Sequence, residues 1–176
     1  GQEPVIKSFL YIWKNSRPKK LLFSWSATMI TIMLIGPFSM VALKNGYHVS
    51  DYNALLFALF LILGGIIAAS INSMVLDRVG PRPMLILYSG GMISVTLWWL
   101  FAPHTMAHFY LAVIFLLIGI GRDGAMTTLS HYFLTIIPDE ERVGANMFMY
   151  IVSGTVAGLA GTVIGGGLLK LLRTFN

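Results

Sequence analysis

Five long apolar runs, parted by short polar breaks, account for most of this chain. The breaks are Lys14–Lys20, Lys44-Asn45-Gly46, Asp77–Pro83, Pro103–Ala107 and Pro138–Arg142. A bilayer core of ~30 Å needs roughly 20 apolar residues in helix. The runs between the breaks reach that length and predict spans at about 21–43, 52–76, 84–102, 108–137 and 143–172. The fold class read from this pattern is an all-α membrane protein with about five transmembrane helices. Residues 1–20 read as a cytoplasmic linker with an interfacial amphipathic segment, and residues 21–176 as the transmembrane helical domain.

Local signals refine each run. Val5 to Trp13 predicts a short amphipathic helix with Tyr11 and Trp13 at headgroup depth. Gly36-Pro37 predicts a kink in the first span. Lys44-Asn45-Gly46 resembles a C-cap, and Ser50 or Asp51 is placed to cap the next helix. Gly64-Gly65 and Ala68-Ala69 give the second span a small-residue face for close packing. Gly154, Gly158, Gly161 and Gly165 do the same for the fifth, as a packing and rocking surface. Asp139-Glu140-Glu141 offers caps and negative charge at the start of that last helix.

Composition sharpens the membrane assignment. Of 176 residues 56% are hydrophobic and only 11% charged, against about 25% charged in a soluble domain. The absence of cysteine excludes disulfides and thiolate metal sites from these residues. A net charge of +5 can mark nucleic-acid binding, but no basic face with interleaved aromatics is present, and nucleic acid is not an expected partner. The positive charge instead reads as topology. Lys7, Lys14, Arg17, Lys19, Lys20, Arg78, Arg82 and Arg142 fall on one side of the spans, and Lys44, Lys170 and Arg173 on the other. The positive-inside bias then places the N-terminus in the cytoplasm, most simply of a cell membrane. The first residue is Gly1 rather than Met, and an excerpt of a longer chain is expected.

Between the second and third runs the sequence reads Ser73-Met74-Val75-Leu76-Asp77-Arg78-Val79-Gly80-Pro81-Arg82. It resembles the cytoplasmic loop signature G-x-x-x-D-R-x-G-R-R of the major facilitator superfamily. Asp77, Arg78 and Gly80 match, Ser73 stands for the first glycine, and Pro81-Arg82 for the basic pair. Lys14-Asn15-Ser16-Arg17-Pro18 resembles the join into a second half of that family, and so does the pattern Pro138…Glu141-Arg142…Ala145. The glycine-rich run from Gly154 to Gly167 is similar to the fifth helix of a half. The resemblance covers nearly the whole chain. It implies the second six-helix half of a secondary transporter, a symporter or antiporter, with Asn176 just before a sixth span. It also implies alternating access between two halves around a mid-membrane site.

Candidate residues follow. Asp77, Arg78, Gly80 and Arg82 form the expected gating loop: the acid can meet the N-terminal end of a neighbouring helix, and Arg78 a carboxylate across the half–half interface. The other reading is an ordinary solvated turn. Arg122 and Asp123 lie mid-way along the fourth span, where a charge costs about 2.5–3.5 kcal/mol even on the gentlest scale. Asp123 can carry a coupling proton and Arg122 can grip an anionic substrate group; the alternative is a structural ion network. Adjacent helical residues point about 100° apart, so the two need not pair with each other. Ser24, Ser26, Thr28 and Thr31, with His131, are weaker cavity candidates, since helical hydroxyls often bond their own backbone. Met29, Met33 and Met40 read as packing.

Other chemistry is excluded by context. Gly119-Ile120-Gly121-Arg122-Asp123-Gly124 is a literal G-x-G-x-x-G, but the strand–helix alternation of a dinucleotide fold is missing. Its glycines read as close-packing positions. His104 and His108 have metal-binding spacing, yet Pro103 interrupts them and no carboxylate is near, so no metal or other cofactor is expected. No nucleophile–base constellation points to an enzyme. The expected function is secondary active transport of a small solute, with the bilayer, the solute and the other transporter half as partners. A non-transporting receptor or assembly protein on the same scaffold is the alternative.

Overall fold

The computed structural model describes residues 3–101 and 107–174. Six α-helices follow in order: α1 (Glu3–Lys14), α2 (Ser16–Val41), α3 (Asp51–Val79), α4 (Pro81–Leu100), α5 (His108–Ile136) and α6 (Arg142–Thr174). The five predicted runs correspond to α2–α6, and α1 is the short helix expected ahead of them. Among the described residues four stretches are long and apolar enough to cross a bilayer: Ser16–Gly46, Asp51–Val79, His108–Ile136 and Asp139–Gly167. The third expected span, at about 84–102, is α4, a continuous helix of 20 residues, about 30 Å long. Ser89-Gly90-Gly91 and Trp98-Trp99 dilute its apolar character. Large side chains such as Leu55, Leu59, Ile62, Ile66 and Met74 of α3 are exposed, as a hydrocarbon solvent allows and water does not.

The breaks differ in detail from the sequence reading. α2 continues as helix through Pro37, and one π-helical turn follows it at Ala42–Gly46. Gly46 is not the left-handed residue of that junction; His48 is, at φ 49°. Ser50 rather than Asp51 caps α3, its Oγ accepting from the Asn53 N–H at 3.3 Å. Asp51 instead meets Lys44 at 2.8 Å. Asp139–Glu141 forms a 3-10 turn after Pro138 without a side-chain cap. Its carboxylates bind other side chains: Asp139 pairs with Arg142, and Glu141 accepts from Ser8.

The chain divides into two compact units. One comprises residues 1–34 and 131–176. There Trp25 is buried with its ring edge-on to Phe133 and Tyr150, at 6.1 and 5.5 Å. Ala145, Met149, Ser153 and Ala157 form the buried stripe of α6 at four-residue spacing. Gly161 and Gly165 continue that stripe, Gly161 beside Met33. Gly154 and Gly158 do not, because a Cβ on either would meet nothing within 4 Å. Half of the predicted glycine face is therefore a packing face.

The other unit comprises residues 35–130. Its core has a cluster around Leu43, Val49, Phe57, Leu111 and Phe115, and another around Ala68, Leu76, Met84, Tyr88 and Ala125. The predicted small face of α3 packs here. A Cβ on Gly64 would lie 2.2 Å from the Leu116 carbonyl, and one on Gly119 would lie 2.1 Å from the Leu61 carbonyl. The backbones of α3 and α5 touch, as small-residue faces permit in membranes.

Candidate functional site

Arg122 stands fourteen residues from each end of α5. Its guanidinium turns along the helix onto its neighbour: Nε donates to Asp123 Oδ1 at 2.7 Å and Nη2 to Oδ2 at 3.0 Å. The two residues, which their helical positions alone do not require to pair, form a bidentate pair, the strongest geometry for this combination. Side chains of both are 34% exposed. Opposite them α3 has no side chain at Gly65, and a Cβ there would fall 2.1 Å from Asp123 Oδ2. The glycine is the recess that admits the carboxylate. Pairing cancels the net charge at the centre of the helix, which lowers the cost of holding it in a membrane. The two bonds use two of five guanidinium donors and two of about four carboxylate lone-pair sites.

A second polar group lies directly beside the pair. Tyr88 Oη donates to Asn72 Oδ1 at 2.7 Å. Asn72 Nδ2 donates to the Gly124 carbonyl at 3.2 Å and to Thr128 Oγ1 at 3.3 Å. The Thr128 hydroxyl donates to the Gly124 carbonyl at 2.7 Å. All three side chains are buried. They join α3, α4 and α5 at the residue that follows Asp123. The Tyr88 ring lies against Gly124, where a Cβ would come within 2.3 Å, and Met92 lies against Gly121. The G-x-G-x-x-G stretch is thus three close helix contacts, in keeping with its packing reading.

The loop signature has a clear conformational basis. Asp77 and Arg78 occupy the exposed last turn of α3. Gly80 ends the helix at φ 87°, ψ 162°, its N–H donating to the Leu76 carbonyl at 2.9 Å. That region is essentially restricted to glycine. Pro81 then opens α4 with its φ preset for a first helical turn, and Arg82 is exposed. The family model of the Major Facilitator Superfamily matches residues 1–162. The chain belongs to this superfamily. No curated protein and no solved structure matches it.

As a superfamily member the chain is a multi-pass integral membrane protein of a transporter family whose members are in general not enzymes. The Pro138…Arg142 resemblance also has a structural counterpart. Arg142 donates from Nη2 to the Leu134 carbonyl at 2.8 Å and from Nε to the Ile137 carbonyl at 3.2 Å, closing the end of α5.

The weaker candidates belong to the unit of residues 1–34 and 131–176, the ion pair to that of residues 35–130. Thr28 and Thr31 donate to the carbonyls of Ser24 and Ala27 in their own helix, each at 2.9 Å. His131 is half-buried near the end of α5, in the other unit from Asp123. His104 lies outside the described residues; His108 stacks on Phe57 at 6.2 Å. Sequence reasoning missed Asn72, Tyr88, Thr128 and the role of Gly65. Asn72 did carry a signal, as the one amide inside the apolar run 54–76.

Proposed function

We propose that this superfamily member moves a small solute by secondary active transport, alternating access with a second helical half. In this reading Arg122 and Asp123 are its substrate and coupling pair. The bidentate ion pair at the centre of α5 carries the proposal. A mid-membrane charge is a functional pointer by default, and this one is a salt bridge that a proton or an anion can open. A proton on Asp123 removes the negative charge that holds the guanidinium. An anionic solute group presents the same fork of acceptors and can take the carboxylate's place on Arg122. Either event frees the other partner, which links solute and proton occupancy at one point.

The test works without an identified substrate. A ligand that binds only the folded protein raises its melting temperature by mass action. Purified protein is screened against anionic, cationic and uncharged small solutes. Anionic solutes should stabilise the wild type and lose most of that effect in Arg122→Lys, where a point charge replaces the fork. Stabilisation confined to cationic or uncharged solutes, or shared equally by the variant, sinks the assignment of Arg122.

A further inference from the structure

We propose that the outer face of α1, with the basic start of α2, is a binding surface for anionic phospholipid headgroups. The inner face of α1 is fixed. Ser8 and Ile12 are fully buried, and the Ser8 hydroxyl donates to Glu141 Oε2 at 2.8 Å. The Phe9 ring stands edge-on to Phe148 at 5.4 Å. These contacts dock α1 on the first part of α6 and leave the opposite arc uncovered. On that arc Leu10 is 59% exposed and Trp13 52%, and Phe9, at its edge, is 40% exposed.

The exposed apolar residues are accompanied by cations. Lys14, Arg17 and Lys20 are exposed, and Lys19 Nζ stands 4.7 Å from the Trp13 ring centroid. No Asp or Glu occurs between Ser8 and Lys20, and Glu141, which accepts from Ser8, is held on the buried side of this segment. The apolar run of α2 begins at Leu21, directly after these cations. The surface therefore lies at the step from polar to apolar sequence. An aromatic ring capped by a lysine, flanked by leucine and by further cations, suits the headgroup boundary: the rings and Leu10 require hydrocarbon, and the cations require phosphate. A nucleic acid or an acidic protein would satisfy the charges and leave the apolar arc in water. Anionic lipid satisfies both.

The 176-residue sequence has no cysteine, so Leu10→Cys accepts a single environment-sensitive fluorophore. The full chain is reconstituted in phosphatidylcholine vesicles holding a minor fraction of phosphatidylglycerol, with bromine near the carbonyl end of one lipid or the other. Quenching per mole should favour brominated phosphatidylglycerol by about fivefold or more, the effect of one well-placed cation. That preference should fall towards unity in the combined Lys14→Gln, Arg17→Gln, Lys20→Gln variant, whose changed side chains are all exposed. A label on Leu59→Cys, mid-way along α3, should show no preference. Equal quenching by the two lipids, a preference that survives the triple change, or one as large at Leu59 would each overturn the proposal. So would a label at Leu10 that neither lipid quenches, since that face would then be covered by protein.

Discussion

Arg122 and Asp123 neutralise each other, so a change at either leaves one charge alone in a low-dielectric site. Removing one partner of a fully buried pair costs about 3–5 kcal/mol; here each side chain is 34% exposed, and the penalty is correspondingly smaller. Function and scaffold then separate. If the pair serves coupling, Asp123→Asn, which keeps the shape and loses the acid, abolishes proton-driven accumulation while exchange persists, and the melting temperature falls by no more than this reduced penalty. If the pair is scaffold, Asp123→Asn and Arg122→Gln each lower the melting temperature, and the double change restores it. Stability and flux measured on the same purified variants decide between them. Gly65 supplies the geometric control. Gly65→Ala drives a methyl into Asp123 Oδ2, and overpacking of this kind costs about 1–3 kcal/mol. Asp123→Ala should relieve much of that cost. It should not relieve Gly64→Ala, whose methyl meets the Leu116 backbone.

At the level of helices, the Asn72–Tyr88–Thr128 group is the polar tie among α3, α4 and α5. Tyr88→Phe keeps the ring against Gly124 but leaves Asn72 Oδ1 without this donor, a loss of about 1–3 kcal/mol when the acceptor stays buried. In membranes such bonds average nearer 0.6 kcal/mol, so a drop of about 1 kcal/mol is the expected reading. Tyr88→Phe combined with Asn72→Leu should cost less than the two single changes summed, by double-mutant cycle in unfolding measurements. The same elements show what the sequence makes legible. Span lengths and breaks were readable because the bilayer imposes one length and Gly80-Pro81 or Pro138 punctuates it. The partners of each helix were not readable, because α3 and α5 are apolar all round and no polar face marks the side that packs. The sequence therefore does not match Gly65 to Asp123, or Asn72 to Tyr88, although each stands in a recognisable apolar run. The sequence marks Arg122 and Asp123 as two candidates and leaves their pairing open: backbone direction separates them by about 100°, and the length of the arginine side chain closes that gap.

On the scale of the whole molecule, the alternating access proposed above should leave its mark at the exposed turn of Asp77, Arg78 and Arg82. Gly80 takes φ 87° as the single residue between α3 and α4, so the charged side chains stand at a tight corner between two helices. A contact made from such a corner in only one of two conformations biases their equilibrium by its full differential energy. Asp77→Asn and Arg78→Ala each remove one charge from an exposed position, and the melting temperature of each variant is measured beside its accessibility. Loss of a surface ion pair is worth about 0.2–1 kcal/mol, and 1.4 kcal/mol is a tenfold population ratio. The expected shift is therefore roughly 1.4- to 5-fold towards the state open on the side of this turn. Single engineered cysteines report it without interference from native ones, since these 176 residues contain none. Positions beside Gly80 should react faster with impermeant reagents applied from the cytoplasmic side, and positions beside Asn45 more slowly from the external side. Both rates are compared with those of otherwise wild-type protein. The same labels fix orientation, because in intact cells the reagent should reach Asn45 and not Gly80. Reversed labelling would invert the topology, and unchanged rates in both variants would reduce the turn to a solvated connection between α3 and α4.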